Sequence, residues 1–373
     1  MSRPTRRGSS AYVDINSKTQ VVNIYKKRGR SVRIVSLILA IICLFAGSGM
    51  IYYYSVLDSM TFAPIAEYEM ETNPDVEKMD LDINDMLGDS DLLSDSKVLN
   101  IMLFGEDYHT ADSYGRSDSM IMATINNRSK TIKFTSFQRD TYVYIPNHGY
   151  SKITHAFSYG GPALAIETVE ANFGIRIDRY AVVDFKSFQK IVDILGGVKI
   201  NISADEAGYI NLQVRLNNQQ SKTTTLEQVD GEVTLDGVQS LWYARNRGFQ
   251  EEGVAEVYSG DDWDRTERQR KFLNAVFEEM KSASLTEIIK IVAEVGPLVT
   301  TNLKKDEITG LVAHALTYLD YEFQSYSIPQ DGFWEYGSNE AGSVILITDL
   351  QGCRKEFANF IFDGNEENTT ETQ

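Results

Sequence analysis

The sequence predicts an α/β protein: an α-β-α layered domain with a central mixed sheet, preceded by one N-terminal transmembrane helix. Three observations lead to this prediction. Apolar segments of strand length follow one another at residues 98–104, 120–125 and 131–137. Strand and helix patterns then alternate along the chain, which is typical of a sheet covered by helices. Residues 34–57 contain no charged side chain, and a helix of this length spans the core of a bilayer.

The N-terminal segments predict a single-pass protein of the cell membrane. Residues 1–33 carry nine Lys or Arg and one Asp, so this basic tail is expected in the cytoplasm. Residues 34–57 are interpreted as a signal-anchor helix. The alternative is a cleaved signal peptide, but the apolar segment is long for one, and no clean cleavage pattern of small residues follows it. The rest of the chain is then extracellular.

Charge and cysteine usage limit the class of protein. The formal net charge is -17 although the first segment is basic, so the remainder is strongly acidic, which argues against a nucleic-acid partner. Residues 58–96 are interpreted as an acidic stalk and residues 366–373 as an acidic tail. Of the two cysteines, Cys43 lies in the predicted anchor and Cys353 near the C-terminus, so the exported part forms no internal disulfide. This favours a bacterial surface protein.

Secondary structure after the first three strands follows from apolar spacing and from glycine and proline positions. Pro162 and Gly174 delimit a helix, and Gly196 ends another. Residues 204–236 are polar and remain unassigned, and residues 238–243 form an element of undefined type. Residues 282–365 are expected to form a C-terminal extension packed on the domain that precedes them. The predicted helices cover residues 163–173, 187–195, 263–280, 285–295, 305–319 and 350–362; the later strands cover residues 180–185, 198–202, 323–328 and 343–347.

Charged residues cluster where the first three strands meet one edge of the predicted sheet. Asp107 and Arg116 lie in the first connection, Asp118 directly precedes the second strand, and Arg139 follows the third. Strand ends and their loops are where α/β folds carry ligand sites. Carboxylates beside arginines suit a metal ion together with a phosphate group. The alternative is an ion-pair cluster with a purely structural role.

A second group of arginines lies far along the chain. If the segment after residue 243 is extended, Arg245 and Arg247 point to the same face. Arg265, Arg268 and Gln269 share one face at the start of a predicted helix, where free N–H groups favour an anion. We expect the four arginines to converge on the edge that holds Asp107, Asp118 and Arg139. Pairing with the neighbouring acids Asp261, Asp262 and Asp264 is the alternative.

The order of these motifs resembles the LytR-CpsA-Psr family of bacterial cell-envelope proteins. The similarity covers residues 97–281, which we take as the catalytic domain. It is carried by motifs in this order: Asn100 to Asp107, Arg116-Ser117-Asp118-Ser119-Met120, Arg139-Asp140-Thr141, Lys152-Ile153, Tyr159-Gly160-Gly161, Val183-Asp184-Phe185, Leu195-Gly196-Gly197-Val198, Tyr243-Ala244-Arg245-Asn246-Arg247, and Asp262 to Gln269.

The resemblance implies a phosphotransferase of the Gram-positive envelope. Such an enzyme takes a glycopolymer, of the teichoic acid or capsular polysaccharide type, from an undecaprenyl pyrophosphate carrier. It attaches the glycopolymer to peptidoglycan through a phosphodiester. Two other functions stay open: a polyprenyl pyrophosphate hydrolase that uses the same site with water, and a non-catalytic membrane regulator or sensor. The short N-terminal tail, which lacks the pattern of a DNA-binding fold, counts against the regulator.

The resemblance also implies roles for individual residues. Arg139 is the central catalytic arginine, and Asp107 and Asp118 are the metal-site acids, for which Mg²⁺ is the expected ion and Mn²⁺ the alternative. Asp118 and Asp140 are candidates for the general base. The implied pyrophosphate-binding set is Arg116, Lys152, Arg245, Arg247, Arg265, Arg268 and Gln269, with Asp262 as a further site acid.

Two positions depart from the family pattern, and one property rests on resemblance alone. Gln138 stands where the family has proline, which is expected to loosen the turn that carries Arg139. His109 replaces an arginine, which removes one expected pyrophosphate contact. A sleeve for the polyprenyl chain is implied by the family, with ordinary core packing as the alternative. Its candidate residues are Phe157, Leu164, Ile166, Val169, Phe173, Phe185, Phe188, Ile191 and Val192.

Overall fold

The computed structural model describes residues 54–65, 73–75, 92–107, 109–110, 113–250, 254 and 257–363. The predicted basic tail, the acidic C-terminal tail, and most of the predicted anchor and stalk lie outside the described residues. The chain divides into two compact units, residues 1–58 and residues 59–373, and all elements given below belong to the second. None of the helices in the described ranges is long and apolar enough to cross a membrane.

The described residues of the second unit form strands and helices in the following order. The strands are β1 (Thr61–Phe62), β2 (Val98–Glu106), β3 (His109–Thr110), β4 (Ser113–Tyr114), β5 (Ser117–Asn126), β6 (Thr131–Phe137), β7 (Tyr142–Ile145), β8 (Gly149–Lys152), β9 (Arg179–Asp184), β10 (Val198–Ile202), β11 (Gly231–Leu235), β12 (Thr300–Thr301), β13 (Glu322–Ile328), β14 (Trp334–Asn339) and β15 (Gly342–Ile347). The helices are α1 (Ile153–Phe173), α2 (Phe185–Leu195), α3 (Ala204–Leu216), α4 (Gly237–Arg245), α5 (Asp262–Met280), α6 (Leu285–Val295), α7 (Lys305–Ala313), α8 (Ala315–Leu319) and α9 (Leu350–Phe362).

A central mixed sheet of seven strands organises the unit, as the sequence predicts. Its order is β1-β12-β9-β2-β5-β6-β13. The central strand β2 runs parallel to β9 and antiparallel to β5, and β5 runs antiparallel to β6. With this arrangement the end of β2, the start of β5 and the end of β6 reach the same edge of the sheet. We call this edge the rim.

One face of the sheet packs against α1 and α9. Met102, Phe104 and Met122 point from the strands into this core, where they meet Phe157 of α1 and Phe357 of α9. Burial of these side chains supplies most of the driving force for this layer. Helix α1 is interrupted at Gly160 and Gly161, where the backbone is not helical; Gly161 has φ 64°. The predicted helix after Pro162 is therefore the second half of a longer, kinked helix.

The opposite face of the sheet lies below α2, α4 and α5. Asp184 caps the start of α2 by accepting a hydrogen bond from the backbone N–H of Ser187, and Gly196 ends this helix in the left-handed conformation. Asp261 and Asp264 form a reciprocal capping box at the start of α5. These caps fix where α2 and α5 begin, and both starts lie next to residues of the rim.

Three expectations from the sequence need correction. The strand at residues 198–202 is present as β10, but it pairs with β11 in a separate two-stranded sheet because its partner comes from the unassigned polar region. Residues 282–365, predicted as an extension packed on residues 97–281, also supply two strands of the central sheet, β12 and β13. The segment at residues 238–243 is helical, so Arg245 is the last residue of α4 and not part of an extended segment.

Candidate active site

Three of the predicted site residues lie in or just after the strands that meet at the rim. Strand β2 ends at Glu106 opposite Ser117, the first residue of β5, and this brings Asp107 and Asp118 to adjacent strand ends. Arg139 follows β6, whose Ser136 pairs with Ile121 of β5. The first cluster predicted from the sequence is thus assembled by the antiparallel order of three consecutive strands.

Arg139 lies among three carboxylates. Its Nη1 atom is 2.9 Å from Asp118 Oδ1, and its Nε atom is 3.2 Å from Asp262 Oδ1 and 3.5 Å from Asp140 Oδ2. About a quarter of the Arg139 side chain is exposed, 23%. Burial opposes the charge of this guanidinium, but the carboxylates of Asp262, Asp118 and Asp140 outweigh it and raise the pKa of Arg139. The site therefore holds a permanent cation that remains partly open to a ligand.

The turn that carries Arg139 is held by hydrogen bonds. Gln138 is fully buried; its Nε2 atom donates to Thr266 Oγ1 at 2.8 Å, and its backbone N–H donates to Ile328 O at 2.8 Å. The carbonyl of Gln138 accepts from the Thr141 hydroxyl at 2.7 Å. The expected loosening by Gln138 is therefore not observed, because these three bonds fix the turn in place of a proline ring.

Arg265 joins this cluster from α5. Its Nη2 atom donates to the backbone oxygen of Asp118 at 2.9 Å and to Asp262 Oδ2 at 3.1 Å. Only 4% of its side chain is exposed, and burial lowers the pKa of Arg265. Burial likewise raises the pKa of Asp262, against the attraction of Arg265 and Arg139. The predicted alternative, pairing with a neighbouring acid, thus holds for Arg265 without removing it from the rim.

Arg268 and Gln269 follow Arg265 on α5, but their side chains bond to other partners than those of Arg265. Arg268 Nε lies 2.7 Å from Glu206 Oε1, and its Nη1 atom donates to Asn246 O at 3.0 Å. Gln269 Nε2 donates to Ala244 O at 3.1 Å, and its Oε1 atom accepts from Ser119 Oγ at 3.0 Å. These bonds connect α5 to α3, to α4 and to the start of β5.

A large cavity lies between the sheet and the helices on its second face. Its volume is about 600 Å³. Arg245, Arg247, Arg265 and Gln269 line it together with Asp118, so two distant arginine segments meet at one cavity. The guanidinium of Arg245 lies 4.4 Å from the ring centre of Phe185. Arg268 is absent from the lining among the described residues, and it is the member of the predicted arginine group that lies apart.

The rest of the cavity wall is apolar. It is formed by alternate residues of the central strands and by the inner faces of α2, α4 and α5. The apolar lining includes Leu103, Ile121, Ala181, Val183, Phe185, Phe188, Ile191, Val192, Leu241, Phe272, Leu273 and Val276. Of the residues predicted for a sleeve, those of α2 line this cavity. Those of α1 are core residues on the other face of the sheet, as the alternative predicted.

Asp107, Arg116 and Lys152 complete the set predicted from the sequence. The backbone N–H of Arg116 donates to Asp107 Oδ1 at 2.9 Å, and the side chain of Arg116 is exposed. Lys152 Nζ lies 2.8 Å from Asp140 Oδ1, next to Arg139. The structure describes the backbone of His109 but not its side chain. Within the described ranges, no three His, Cys, Asp or Glu residues form a group that could hold a metal ion.

Sequence reasoning missed several residues that support the site. Glu106 is buried and accepts a hydrogen bond from the Gly115 N–H at 3.0 Å, which holds the loop between β2 and β5. Glu206 pairs with Arg268 from a helix in the unassigned polar region. Glu106 could have been noticed as the charge that ends an apolar strand. No local signal identifies Glu206 as a partner of a residue 62 positions away.

The fold and the site together define a class: an α/β protein with an arginine and carboxylate cluster at the polar end of an apolar cavity. The LytR_cpsA_psr family model matches residues 55–350. This chain belongs to the LytR-CpsA-Psr family.

Individual relatives agree with this assignment. The chain is 30% identical over 312 residues to the polyisoprenyl-teichoic acid–peptidoglycan teichoic acid transferase TagU of Oceanobacillus iheyensis, covering 80% of this chain and 87% of the relative. The crystal structure of Bacillus subtilis TagV is similar with a TM-score of 0.55 and 28% identity, covering 73% of this chain and 99% of that one. A structure of TagT (YwtF) with bound octaprenyl pyrophosphate lipid has a TM-score of 0.52 and 26% identity, covering 71% of this chain and 91% of that one.

Proposed function

We propose that this chain is a membrane-anchored phosphotransferase that moves a glycopolymer from an undecaprenyl pyrophosphate carrier to peptidoglycan. The glycopolymer is of the teichoic acid type or, alternatively, of the capsular polysaccharide type. The observation that carries the proposal is that Arg245, Arg247 and Arg265 line one apolar cavity together with Asp118, the residue that pairs with Arg139. The names of the relatives, and the octaprenyl pyrophosphate bound by one of them, support the same ligand class.

The two parts of the site suit the two parts of such a carrier. Apolar walls on α2 and α5 would take the polyprenyl chain, whose burial is favourable in proportion to its area. Arg245, Arg247 and Arg265 would hold the pyrophosphate, because guanidinium groups bind phosphate oxygens in a bidentate way. A pyrophosphate diester carries two negative charges in an otherwise acidic protein. The cluster of arginines would offset the electrostatic repulsion between the pyrophosphate and the acidic protein.

Arg139 would stabilise the phosphorus that undergoes substitution. A hydroxyl oxygen of peptidoglycan forms a new bond to the phosphorus attached to the glycopolymer, and the bond from this phosphorus to the bridging oxygen breaks. The bridging oxygen keeps the electron pair and leaves as part of polyprenyl phosphate. The hydroxyl proton passes to a carboxylate, for which Asp118 and Asp140 are the candidates. Positioning and neutralisation of charge are the main contributions that phosphoryl transfer requires of a protein.

Asp107 and Asp118 would hold a Mg²⁺ ion, with Mn²⁺ as the alternative. Carboxylates at two adjacent strand ends suit a hard cation, and Mg²⁺ commonly binds through one or two carboxylates plus substrate phosphates and waters. When bound, the ion would neutralise charge on the phosphate oxygens.

The membrane location is part of the same proposal. Residues 34–57 would anchor the chain, with the basic tail in the cytoplasm and the site outside, where peptidoglycan is. A reporter fused to either terminus in intact cells tests this orientation. Activity of an extracellular-only reporter at the C-terminus but not at the N-terminus is expected, and the reverse pattern contradicts the proposal.

Reconstitution tests the proposed activity. The full chain in detergent is incubated with a lipid-pyrophosphate-linked glycopolymer, Mg²⁺ and peptidoglycan, and insoluble wall material is analysed for covalently bound glycopolymer. Wall-linked product is expected. Release of free glycopolymer phosphate in the same assay would instead identify a hydrolase, and the absence of both products would contradict an enzymatic role.

A further inference from the structure

A set of three aromatic rings, one exposed and two half-buried, lies beside the candidate active site and does not line the cavity. It consists of Trp263 on the first turn of α5 and of Trp334 and Tyr336 on β14; we call it the aromatic platform. The rings of Trp263 and Trp334 are stacked, with centroids 4.6 Å apart and an angle of 26°. Tyr336 packs edge-on against Trp334 at 5.0 Å and is 63% exposed. The two half-buried tryptophans thus support one exposed ring, and together they form a rigid aromatic surface that a ligand can pack against.

The aromatic platform is attached to the turn that carries Arg139 in two ways, through the hairpin of β14 and β15 and through the start of α5. Strands β14 and β15 form a hairpin in which Tyr336 pairs with Ile345, and the N–H of Ile345 donates to Asp140 O at 2.9 Å. Trp263 directly follows Asp262, which contacts Arg139 at 3.2 Å. Both connections fix the aromatic platform next to the residues that surround Arg139.

The cavity and the aromatic platform are connected to Arg139 indirectly, through different neighbouring residues. Asp118 pairs with Arg139 and lines the cavity, whereas Asp140 contacts Arg139 and holds the hairpin. None of the three platform residues lines the cavity. A transfer reaction needs two substrates at one reacting centre, and the cavity accounts for the lipid-linked donor only. The aromatic platform lies next to Asp140 and Asp262, the two neighbours of Arg139 that do not line the cavity.

We propose that the aromatic platform binds sugar rings of the acceptor glycan strand and so brings its hydroxyl group to Arg139. This inference rests on the proposed transferase function and adds a subsite to it. The faces of aromatic rings are electronegative, and they attract the weakly positive C–H groups on the face of a pyranose ring. Rigid Trp and Tyr side chains also bind with little loss of conformational freedom. An uncharged, repeating polysaccharide is the ligand that this surface fits.

Steady-state kinetics of the full chain, with donor and acceptor varied separately, test the inference. Tyr336→Ala removes the most exposed ring with little disturbance of the fold. We expect the KM for the acceptor to rise about threefold to tenfold, the range that corresponds to the loss of one aromatic contact. The KM for the lipid-linked donor should stay unchanged. Tyr336→Phe keeps the ring and should restore the KM for the acceptor to near the wild-type value.

Phe62→Ala is the matched control, because Phe62 is 53% exposed and lies on β1, at the edge of the sheet farthest in strand order from β13. It should leave both KM values unchanged. A Tyr336→Ala variant with the wild-type KM for the acceptor overturns the inference while leaving the transferase intact. A rise in the KM for the donor alone overturns it in favour of a donor-glycan site. Failure of the wild-type chain to transfer any glycopolymer removes the proposed function on which the inference rests.

Discussion

At the scale of single residues, Arg139 provides the positive charge at the centre of the site. Its three carboxylate neighbours keep it charged and oriented, and they are also the groups that an incoming phosphate must displace or share. Because the Arg139 side chain is 23% exposed, a ligand can reach it without opening the core. The arrangement is suited to a residue that is prepared for an anion in the absence of ligand.

Arg139→Ala is expected to lower the rate of glycopolymer transfer by about a hundredfold or more, since a charge-stabilising donor is lost. The unfolding midpoint should change little in comparison, because the side chain is not part of the core. Transfer and thermal unfolding are measured on the same preparations. Arg176→Ala is the control: Arg176 is exposed and interacts with Asp178 near the opposite end of β9. A folded Arg139→Ala variant with normal turnover would reject the role given to this residue.

A second prediction at this scale concerns metal binding. Asp107→Asn and Asp118→Asn should each weaken Mg²⁺ binding in the presence of a non-hydrolysable pyrophosphate analogue. The double variant should lose little more, because residues that share one ion are not additive. Calorimetric titration of the three variants measures this. Independent and additive losses would mean that the two carboxylates do not hold a common ion.

At the scale of elements, helix α5 has two roles: it places Arg265 in the site, and it is joined to α3 through Arg268. Arg265 faces the rim and lines the cavity, whereas Arg268 joins α5 to Glu206 of α3. Both residues were predicted to bind pyrophosphate because they are three positions apart and share a helix face. The structure gives them different partners, since Arg265 bonds to Asp118 and Asp262 whereas Arg268 bonds to Glu206.

Arg265→Lys and Arg268→Lys separate these roles. Both variants keep the positive charge but lose the planar, bidentate fork. We expect Arg265→Lys to weaken binding of polyprenyl pyrophosphate about tenfold with little change in stability. Arg268→Lys should lower the free energy of unfolding by about 1 kcal/mol and leave that affinity unchanged. Equal losses of affinity in both variants would show that Arg268 also contacts the ligand.

The elements that the sequence predicted well are those with strong local signals. Helix α6 begins after Ser284, whose capping box with Glu287 is visible in the sequence, and its observed bounds match the predicted ones. Helix α3 was missed because its surroundings are rich in polar residues, although it starts with a capping box at Ser203 and Glu206. The strand β10 was recognised, but its partner β11 is set by tertiary packing and leaves no local pattern.

At the scale of the whole molecule, two sets of motifs meet because the sheet and its second helical layer enclose one cavity. The first set, at the ends of β2, β5 and β6, could be predicted from consecutive apolar strands. The approach of Arg245 and Arg247 was expected from an extended segment, but the structure reaches it in another way, because Arg245 ends helix α4 and α4 packs over the sheet. Neither the cavity nor the aromatic platform, which α5 and β14 form together, leaves a pattern that could be detected in single segments of the sequence.

Filling the cavity should separate lipid binding from phosphate binding. Val276 lies on α5 and lines the cavity, as does Leu273 one turn earlier. Val276→Trp should reduce the affinity for a long-chain polyprenyl pyrophosphate at least about tenfold, because the added ring occupies space that the chain needs. Affinity for inorganic pyrophosphate should stay near the wild-type value, and Val276→Leu serves as the control. Equal loss for both ligands would mean that the cavity does not hold the chain.

The fate of the phosphorus attached to the glycopolymer tests the central claim most directly. A lipid-linked donor carrying ³²P at that position is incubated with the full chain, Mg²⁺ and peptidoglycan, and the products are separated. The account predicts that the label becomes wall-linked in a phosphodiester, with unlabelled polyprenyl phosphate released and with Arg139→Ala about a hundredfold slower. Label recovered only as free glycopolymer phosphate, or left on the lipid carrier, would contradict it.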